Sequence, residues 1–277
     1  MHHRHNLESC AFPSERITKN CLEERCIIGI GEAGRGPVLG PLVYSLFISP
    51  ESQINWLSQN GAIDSKQLTA KAREGFFKKL SRDNDTLGWK VNILHPEHIS
   101  NCMLRKDKLN LNELSYSAVF GLINSVQEAG VRISMAFVDT LGKEEKYEAS
   151  LGRKFPNIKF TVRSKADILF PIVGAASIVA KVIRDDVLSA QGIEASGYPG
   201  DQATVEWLEN NVEPVFGFPS VVRFSWRTCA KILEIKCYSV KWLDEEDDKE
   251  NRKRQSATAD IATPCTGSPL GLHNCLW

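Results

Sequence analysis

The stretch CIIGIGEAGRGPVLGP, Cys26 to Pro41, decides how the rest of the chain is interpreted. It opens with four apolar residues around Gly29, a composition typical of a buried β-strand. The turn that follows holds one acid, one base and three glycines: Glu32, Arg35, Gly31, Gly34 and Gly36. A purely structural turn rarely needs a carboxylate, a guanidinium and this much bare backbone together. We therefore expect the turn to hold a ligand.

Apolar residues recur with the spacing of strands or helices on both sides of this turn. Strand-like runs cover Cys26–Ile30, Leu42–Ile48, Leu87–Leu94, Ile133–Asp139 and Ile158–Asp167. Helical spacing covers Leu68–Arg82, Asn112–Gly130, Lys146–Pro156, Pro171–Leu188, Asp201–Asn211 and Ser225–Lys236. This order predicts an α/β domain with a mixed central sheet flanked by helices, followed by a helical C-terminal extension.

Composition divides the chain into three parts. Residues 1–24 are polar and unpatterned, and we predict a loose segment there. Residues 25–243 hold the patterned domain and its C-terminal helices. Residues 244–277 turn acidic, then basic, then rich in Ser, Thr, Pro and Gly, which is typical of a disordered tail.

Composition also disfavours several classes of protein. The longest apolar runs fall far short of the ~20 residues that a bilayer span needs. The N-terminus has no apolar core, so a secretory signal is not expected. None of the eight cysteines forms a C-x-x-C pair, which argues against a zinc knuckle and favours a reducing compartment. Equal numbers of basic and acidic residues, 34 each, permit nucleic-acid binding without arguing for it.

Three carboxylates, Glu32, Asp139 and Asp167, each follow an apolar run. Open α/β sheets bind ligands at such strand ends, and converging carboxylates repel one another unless a cation lies between them. Hard oxygen ligands without histidine or thiolate suit Mg²⁺ or Mn²⁺, and two such ions form a clamp for hydrolysis of a phosphodiester. The alternative is that these acids merely cap strand ends and begin turns.

Seven motifs, in order along the chain, resemble those of the type 2 ribonucleases H. They are GEAGRGPVLGP (31–41), DSKQL (64–68), FVDT (137–140), KAD (165–167), AASIVAKVIRD (175–185), SGYP (196–199) and EPVFGFPSVVRFSWRT (213–228). The last motif resembles the catalytic subunits of the family's eukaryotic members. The resemblance covers about Cys26 to Trp242, and its motifs are numerous and ordered.

The resemblance implies an RNase H-like fold and a metal-dependent endonuclease. Members of the family cut the RNA strand of RNA:DNA hybrids, and also cut 5′ to single ribonucleotides embedded in duplex DNA. It further implies two Mg²⁺ or Mn²⁺ ions, a heterotrimer with two accessory subunits, and a nuclear role on replication by-products. The basic cluster Arg252–Arg254 is a weak signal for nuclear entry, because a solvated tail is the favoured explanation of three basic residues.

The same resemblance assigns roles to single residues. Glu32, Asp139 and Asp167 would be the catalytic metal ligands. The backbone of Gly34, Arg35 and Gly36 would contact the ribose 2′-OH, the group that distinguishes RNA from DNA. Tyr198 would stack on the neighbouring sugar. Phosphate contacts would come from Ser65, Lys66, Lys108, Asn110 and Arg184, although a solvated helix face remains an alternative for Lys108 and Arg184, as does an ordinary surface role for Tyr198.

Two features depart from the family pattern. Gly31 stands where the family has an aspartate that serves as a principal metal ligand, so one carboxylate is missing from the turn. The segment Asp186–Ala195 is shorter than usual, which predicts a truncated helix and a shifted approach of Tyr198 to the site.

Two alternatives to an active ribonuclease H remain open at this point. A non-catalytic hybrid-binding or scaffold subunit of the same fold is favoured by Gly31. A different RNase H-like nuclease, such as a resolvase or an integrase, is disfavoured by the GRG and SGYP motifs.

Overall fold

The computed structural model describes residues 12–59, 68–83 and 85–239. The predicted phosphate contacts Ser65 and Lys66, the basic cluster Arg252–Arg254 and the predicted tail 244–277 lie outside these residues. The chain up to Cys237 belongs to one compact unit; residues 238–277 form a second, of which only Tyr238 and Ser239 are described. In the described ranges no helix is long and apolar enough to cross a membrane.

Six strands form one sheet in the order β1-β4-β3-β2-β5-β6. They are β1 (Glu15–Arg16), β2 (Arg25–Ala33), β3 (Leu42–Pro50), β4 (Gly88–Leu94), β5 (Arg132–Asp139) and β6 (Lys159–Arg163). Strands β2, β5 and β6 run parallel to one another, whereas the β1–β4, β4–β3 and β3–β2 pairs are antiparallel. The predicted mixed sheet is therefore confirmed.

Ten helices accompany the sheet in the described ranges. They are α1 (Lys19–Glu23), α2 (Ile54–Gln59), α3 (Ala70–Asp83), α4 (Pro96–Leu104), α5 (Leu111–Glu128), α6 (Glu144–Lys154), α7 (Ala166–Leu169), α8 (Pro171–Ser189), α9 (Gln202–Asn210) and α10 (Arg227–Lys236). The six predicted helices correspond to α3, α5, α6, α8, α9 and α10. Helices α1, α2 and α7 are too short to produce a clear apolar stripe, whereas α4 has nine residues, as many as α9, and was missed.

Helices cover both faces of the sheet, as the burial of β3 shows. All nine residues of this strand are buried. Tyr44 and Leu46 face a cluster formed with α4, α5 and α6. Val43 and Phe47 face the opposite cluster, formed with α2, α3 and α8. This alternation is the period-two side-chain pattern of a strand packed on both sides.

Helix α8 packs unusually close to β2, and two glycines make this possible. A Cβ at Gly29 would lie 2.4 Å from the carbonyl oxygen of Ile172, and a Cβ at Gly31 would lie 2.3 Å from Ser177 Oγ. Real Cβ atoms do not approach other atoms this closely. Gly29 and Gly31 are two residues apart and so face the same side of the strand. They bring the middle of α8 against the end of β2, beside Glu32.

A third apolar cluster joins the C-terminal helices to the turn 34–36, which holds Gly34, Arg35 and Gly36 and is called the glycine turn below. Val38 and Leu39, which follow the turn, pack with Leu208 of α9 and Cys229 of α10. The backbone N–H of Val38 also donates to the carbonyl of Gly197 at 2.7 Å. The predicted helical extension therefore fixes the turn from one side and the loop carrying Tyr198 from the other.

Two predictions about local structure need correction. Residues 15–23 are not loose: Thr18 caps α1 and Cys21 is fully buried, which anchors this stretch to the core. Strand β6 ends at Arg163, so Asp167 lies in the short helix α7 and not at a strand end. Between Arg163 and Asp167, Lys165 has a φ of 57°, a left-handed conformation that prevents the strand from continuing.

Candidate active site

A cavity of about 430 Å³ opens where β2 and β5 end and α8 crosses them. Its acidic lining residues are Glu32, Asp139, Asp167 and Asp185, and its basic ones are Arg35, Arg73, Lys181 and Arg184. Gly34, Gly36, Ser177 and Tyr198 complete the polar and backbone lining. The structure thus brings together the three predicted carboxylates, the glycine turn, Arg184 and Tyr198.

Hydrogen bonds hold the carboxylates of Glu32 and Asp139 in place. Tyr44, on the neighbouring strand, donates its hydroxyl to Glu32 Oε2 at 2.7 Å. Asp139 Oδ1 accepts from the backbone N–H groups of Thr140 at 3.1 Å and Ala166 at 3.2 Å. Each of these two acids is therefore bonded to a group on an adjacent element, which restricts the rotation of its carboxylate.

Asp167 is the most deeply buried of the three acids, with 2% of its surface exposed. The three acids share the cavity, but in the described part of the chain no three Asp, Glu, His or Cys side chains lie close enough to form a ready-made metal site. The three acids line the same cavity, whereas their convergence on a shared ion and the roles assigned to them remain predictions.

Tyr44 is a site residue that the sequence analysis missed. Burial, followed by the charge of Glu32, raises its pKa well above the ordinary value, so the phenol remains a hydrogen-bond donor to that carboxylate. On α5, Ser115 accepts from Arg35 Nη1 at 3.0 Å and donates its own hydroxyl to the carbonyl of Leu111. Tyr44 lies directly opposite Glu32 in the antiparallel β2–β3 pair. The register of these two strands, which the sequence analysis did not assign, is the signal that could have found this contact.

The side chain of Arg35 faces α5. Besides Ser115 it bonds to Asn112 in the first turn of the helix. Gly34 has a φ of +87°, a conformation that L side chains rarely adopt. A Cβ at Gly36 would lie 3.2 Å from Tyr198 Cε1, so this glycine lets the tyrosine ring approach the turn.

Tyr198 is held at the cavity by the loop that carries it. Arg184 Nη2 donates to the carbonyl of Ser196 at 2.9 Å, and Asp201 accepts from both the N–H and the hydroxyl of Ser196. Helix α8 ends at Ser189, and the short segment after it still delivers Tyr198 to the cavity, with 49% of its surface exposed.

One face of α8 supplies cavity residues that the sequence analysis did not assign. Ser177, Lys181 and Asp185 follow each other at intervals of four, so they lie on the same side of the helix. Asp185 also pairs with Arg73 of α3 at 3.3 Å and with its neighbour Arg184 at 3.1 Å. The spacing within AASIVAKVIRD is the signal by which these residues could have been found.

Two predicted phosphate contacts lie away from the cavity lining. Lys108 is exposed in the loop before α5. Asn110 is the N-cap of that helix, and its Oδ1 accepts from the N–H groups of Asn112 and Glu113. Its side-chain oxygen therefore has a structural use, and the phosphate roles of both residues stay predictions.

Comparison with known proteins identifies the family to which this arrangement belongs. The sequence model of Ribonuclease HII matches residues 28–229, which contain every described residue of the cavity. The chain belongs to the ribonuclease HII family. Within this family it is a ribonuclease H, a hydrolase, and its mixed sheet with flanking helices is the RNase H-like fold.

The relatives agree with this assignment. The A-subunit of ribonuclease H2 from Rattus norvegicus is 45% identical over 263 residues, which cover 91% of this chain and 87% of the rat protein. The crystal structure of ribonuclease H2 from Pyrococcus horikoshii OT3 has a TM-score of 0.65 and 33% identity, and it covers 76% of this chain and 98% of its own. Bst-RNase HIII in complex with Mn²⁺ shares the fold, with a TM-score of 0.57, 18% identity, and coverage of 84% of this chain and 72% of its own.

Proposed function

We propose that this ribonuclease H is an endonuclease that cuts the RNA strand of RNA:DNA hybrids and also cuts 5′ to single ribonucleotides in duplex DNA. The observation that carries the proposal is the cavity itself. It combines acids that suit metal binding, bases that suit phosphate binding, and bare backbone at Gly34 and Gly36 that a sugar can approach closely.

A divalent ion fits the donor chemistry of this cavity. Its described ligands are carboxylates, and Mg²⁺ is usually held by one or two carboxylates together with waters and substrate phosphates. The absence of a preformed three-residue cluster in the described ranges is therefore compatible with binding. Glu32, Asp139 and Asp167 would hold the ions, either Mg²⁺ or Mn²⁺ and two per site. The Mn²⁺ bound to Bst-RNase HIII supports this choice of metal.

Bound ions would activate water and stabilise the leaving oxygen. The chain's own residues orient the reactants. Tyr44 fixes Glu32, and the N–H groups at Thr140 and Ala166 fix Asp139. Lys181 lies on the cavity wall, where its charge suits a substrate phosphate.

The remaining contacts would select the substrate. The backbone of Gly34, Arg35 and Gly36 would meet the ribose 2′-OH, and the ring of Tyr198 would stack on the next sugar. Phosphate contacts by Arg184, Lys108, Asn110, Ser65 and Lys66 would position the duplex without reading its sequence.

Single-turnover cleavage tests the proposal. The full chain with its partner subunits is incubated with a duplex containing one ribonucleotide, an RNA:DNA hybrid, or an all-DNA duplex, in Mg²⁺ and in Mn²⁺. We expect cuts 5′ to the ribonucleotide and throughout the RNA strand, none in the all-DNA duplex, and none with Asp139→Asn. Cleavage of the all-DNA duplex would contradict the proposal.

A second candidate function is a non-catalytic subunit that binds hybrids. Gly31 favours it, because a glycine offers no carboxylate at the end of β2. Binding of the hybrid without any cleavage, in both metals, would support this second function over the first.

We further propose that the chain works in the nucleus, as the catalytic subunit of a heterotrimer with two accessory subunits. Its relatives are named as one lettered subunit of ribonuclease H2, which supports membership in a multi-subunit complex. Mass measurement of the complex purified through a tag on this chain tests the composition. Imaging of the tagged chain, with and without substitution of Arg252–Arg254, tests the location.

A further inference from the structure

Two side chains from the C-terminal segment, Arg223 and Trp226, donate hydrogen bonds to successive backbone carbonyls of the glycine turn. Arg223 Nη2 donates to the carbonyl of Gly34 at 2.6 Å, and its Nη1 donates to the carbonyl of Arg35 at 3.3 Å. Trp226 Nε1 donates to the carbonyl of Gly36 at 3.0 Å. Three consecutive peptide groups are thereby held from one side.

Arg223 is buried in an unusual way. None of its surface is exposed, and in the described part of the chain it has no carboxylate partner. It is surrounded by carbonyls, including that of Gly40 at 2.9 Å, and its guanidinium lies 4.9 Å from the centre of the Trp226 ring. Burial, and then the charge of Arg184, lowers its pKa to about 9, so it remains a cation at neutral pH.

A buried cation without a carboxylate is costly for stability. We therefore expect the buried guanidinium of Arg223 to have a role beyond the packing of the C-terminal segment. The groups that it holds supply one, because Gly34, Arg35 and Gly36 all line the cavity.

The geometry of the peptide bond shows what this arrangement does. In a trans peptide the carbonyl of one residue and the N–H of the next point in opposite directions, and the described chain has no cis peptide. With the carbonyls of Gly34 and Arg35 turned toward Arg223, the N–H groups of Arg35 and Gly36 point away from it. Two backbone donors are therefore held in fixed orientation in a turn that lines the cavity.

We propose that Arg223 and Trp226 are positioning residues for ribose recognition. Arg223 holds the carbonyls of Gly34 and Arg35 and thereby keeps the N–H groups of Arg35 and Gly36 aimed at a sugar hydroxyl beside Tyr198. Trp226 holds the carbonyl of Gly36, whose peptide with Pro37 has no N–H, and so fixes the backbone on the far side of the Gly36 donor. This inference rests on the proposed function, because it requires a ribose-containing substrate.

The test is a ratio of binding affinities that does not depend on cleavage. The full chain with its partner subunits is titrated, in Ca²⁺, with a duplex containing one ribonucleotide and with the matching all-DNA duplex. Trp226→Phe keeps an aromatic ring over Arg223 and removes only the N–H to Gly36. Arg223→Lys keeps the charge but cannot reach three carbonyls. Trp207→Phe, in the same apolar cluster, is the control.

Loss of one hydrogen bond in the turn is expected to lower the preference for the ribonucleotide by about threefold to tenfold. Affinity for the all-DNA duplex should stay constant in every variant, and Trp207→Phe should leave the preference intact. If Trp226→Phe and Arg223→Lys keep the full preference for the ribonucleotide while the unmodified chain cleaves, this inference is overturned and the proposed function stands. A preference that the variants lose, without any cleavage, would support the inference and contradict the proposed nuclease.

A merely structural role predicts a different result. In that case Trp226→Phe would lower the unfolding temperature and leave the ratio of the two affinities unchanged. No preference for the ribonucleotide in the unmodified chain would also overturn the inference.

Discussion

Gly31 illustrates how one residue serves both packing and chemistry. Its Cβ position lies 2.3 Å from Ser177 Oγ and 2.8 Å from the backbone nitrogen of Ser177. A side chain here requires the middle of α8 to move. The family aspartate would therefore add a carboxylate and, in this chain, a local strain.

Comparison of Gly31→Asp with Gly31→Asn separates these two effects, because the two side chains have the same shape and only one is charged. Loss of a charged metal ligand costs about 3–5 kcal/mol, by analogy with unpairing a buried charge. Each 1.36 kcal/mol of barrier is about tenfold in rate. We expect Gly31→Asp to cleave a one-ribonucleotide duplex about a hundredfold or more faster than Gly31→Asn and faster than the unmodified chain.

The measurement is single-turnover cleavage at about 1 mM Mg²⁺, with the unfolding temperature of each variant recorded alongside. Equal rates for Gly31→Asp and Gly31→Asn would mean that a carboxylate at this position does not contribute. High Mn²⁺ is expected to recover part of the activity of the unmodified chain, because mass action offsets weaker binding.

Tyr198 allows a second prediction at the scale of one residue. Its ring lies against Gly36 and remains half exposed, as a stacking platform requires. Stacking contributes about 1–3 kcal/mol per base by alanine substitution. Tyr198→Ala should therefore lower the cleavage rate at a single ribonucleotide more than it lowers affinity for a hybrid.

Tyr198→Phe is the matched control, since it keeps the ring and should retain most of the cleavage rate. Parallel losses of binding and cleavage in Tyr198→Ala would argue against a stacking role and for a general effect on the loop.

At the scale of an element, Asp201 couples the loop of Tyr198 to helix α9. Its carboxylate accepts from the hydroxyl of Ser196, from the N–H of Ser196 and from the hydroxyl of Thr204. It also caps the helix through the N–H of Ala203. These bonds, the Ser196 hydroxyl first, hold the pKa of Asp201 below its ordinary value of 3.8.

A depressed pKa in the folded chain means that the stabilisation is present above the ordinary pKa and is lost as the pH falls through the lower, folded value. We expect the unfolding temperature to fall more steeply in the unmodified chain than in Asp201→Asn as the pH is lowered from about 4. Calorimetry across this range measures the difference. Glu206→Gln, on the same helix, should keep the steep fall; a steep fall in Asp201→Asn as well would contradict the prediction.

At the scale of the whole molecule, the formal net charge of the chain is zero. The cavity repeats this balance, because four basic side chains, among them Lys181 and Arg184 of α8, line it together with four acidic ones. The proposed binding of nucleic acid would therefore depend on contacts of single basic side chains and not on net charge.

Salt dependence of hybrid binding tests this view. Each phosphate contact contributes about 0.9 to the slope of log affinity against log salt on a B-form duplex. Lys181→Met should reduce the slope by about one, with similar weakening for every sequence of hybrid. Lys231→Met, exposed on α10, should leave the slope unchanged; equal slopes for all three proteins would exclude Lys181 from phosphate contact.

The local sequence was enough to predict a helix or strand wherever apolar residues recurred with a clear period. The stripe of Leu114, Val119 and Leu122 predicted α5 because a long helix repeats its buried face several times. The apolar run before Asp139 predicted β5 in the same way. Motif order placed the three carboxylates, the glycine turn and Tyr198 in one site, and they do line one cavity.

Contacts between distant segments were decided only by the tertiary structure. The bond from Arg223 to Gly34 has no signature in local spacing, because it joins residues 189 positions apart in the chain. The departure at Gly31 was visible in the sequence, whereas its closeness to Ser177 was not. The periodicity of a segment indicates which of its residues are buried, but not which other segment packs against them. At this site the packing of the C-terminal segment against the glycine turn sets the orientation of the turn, and only the tertiary structure shows that packing.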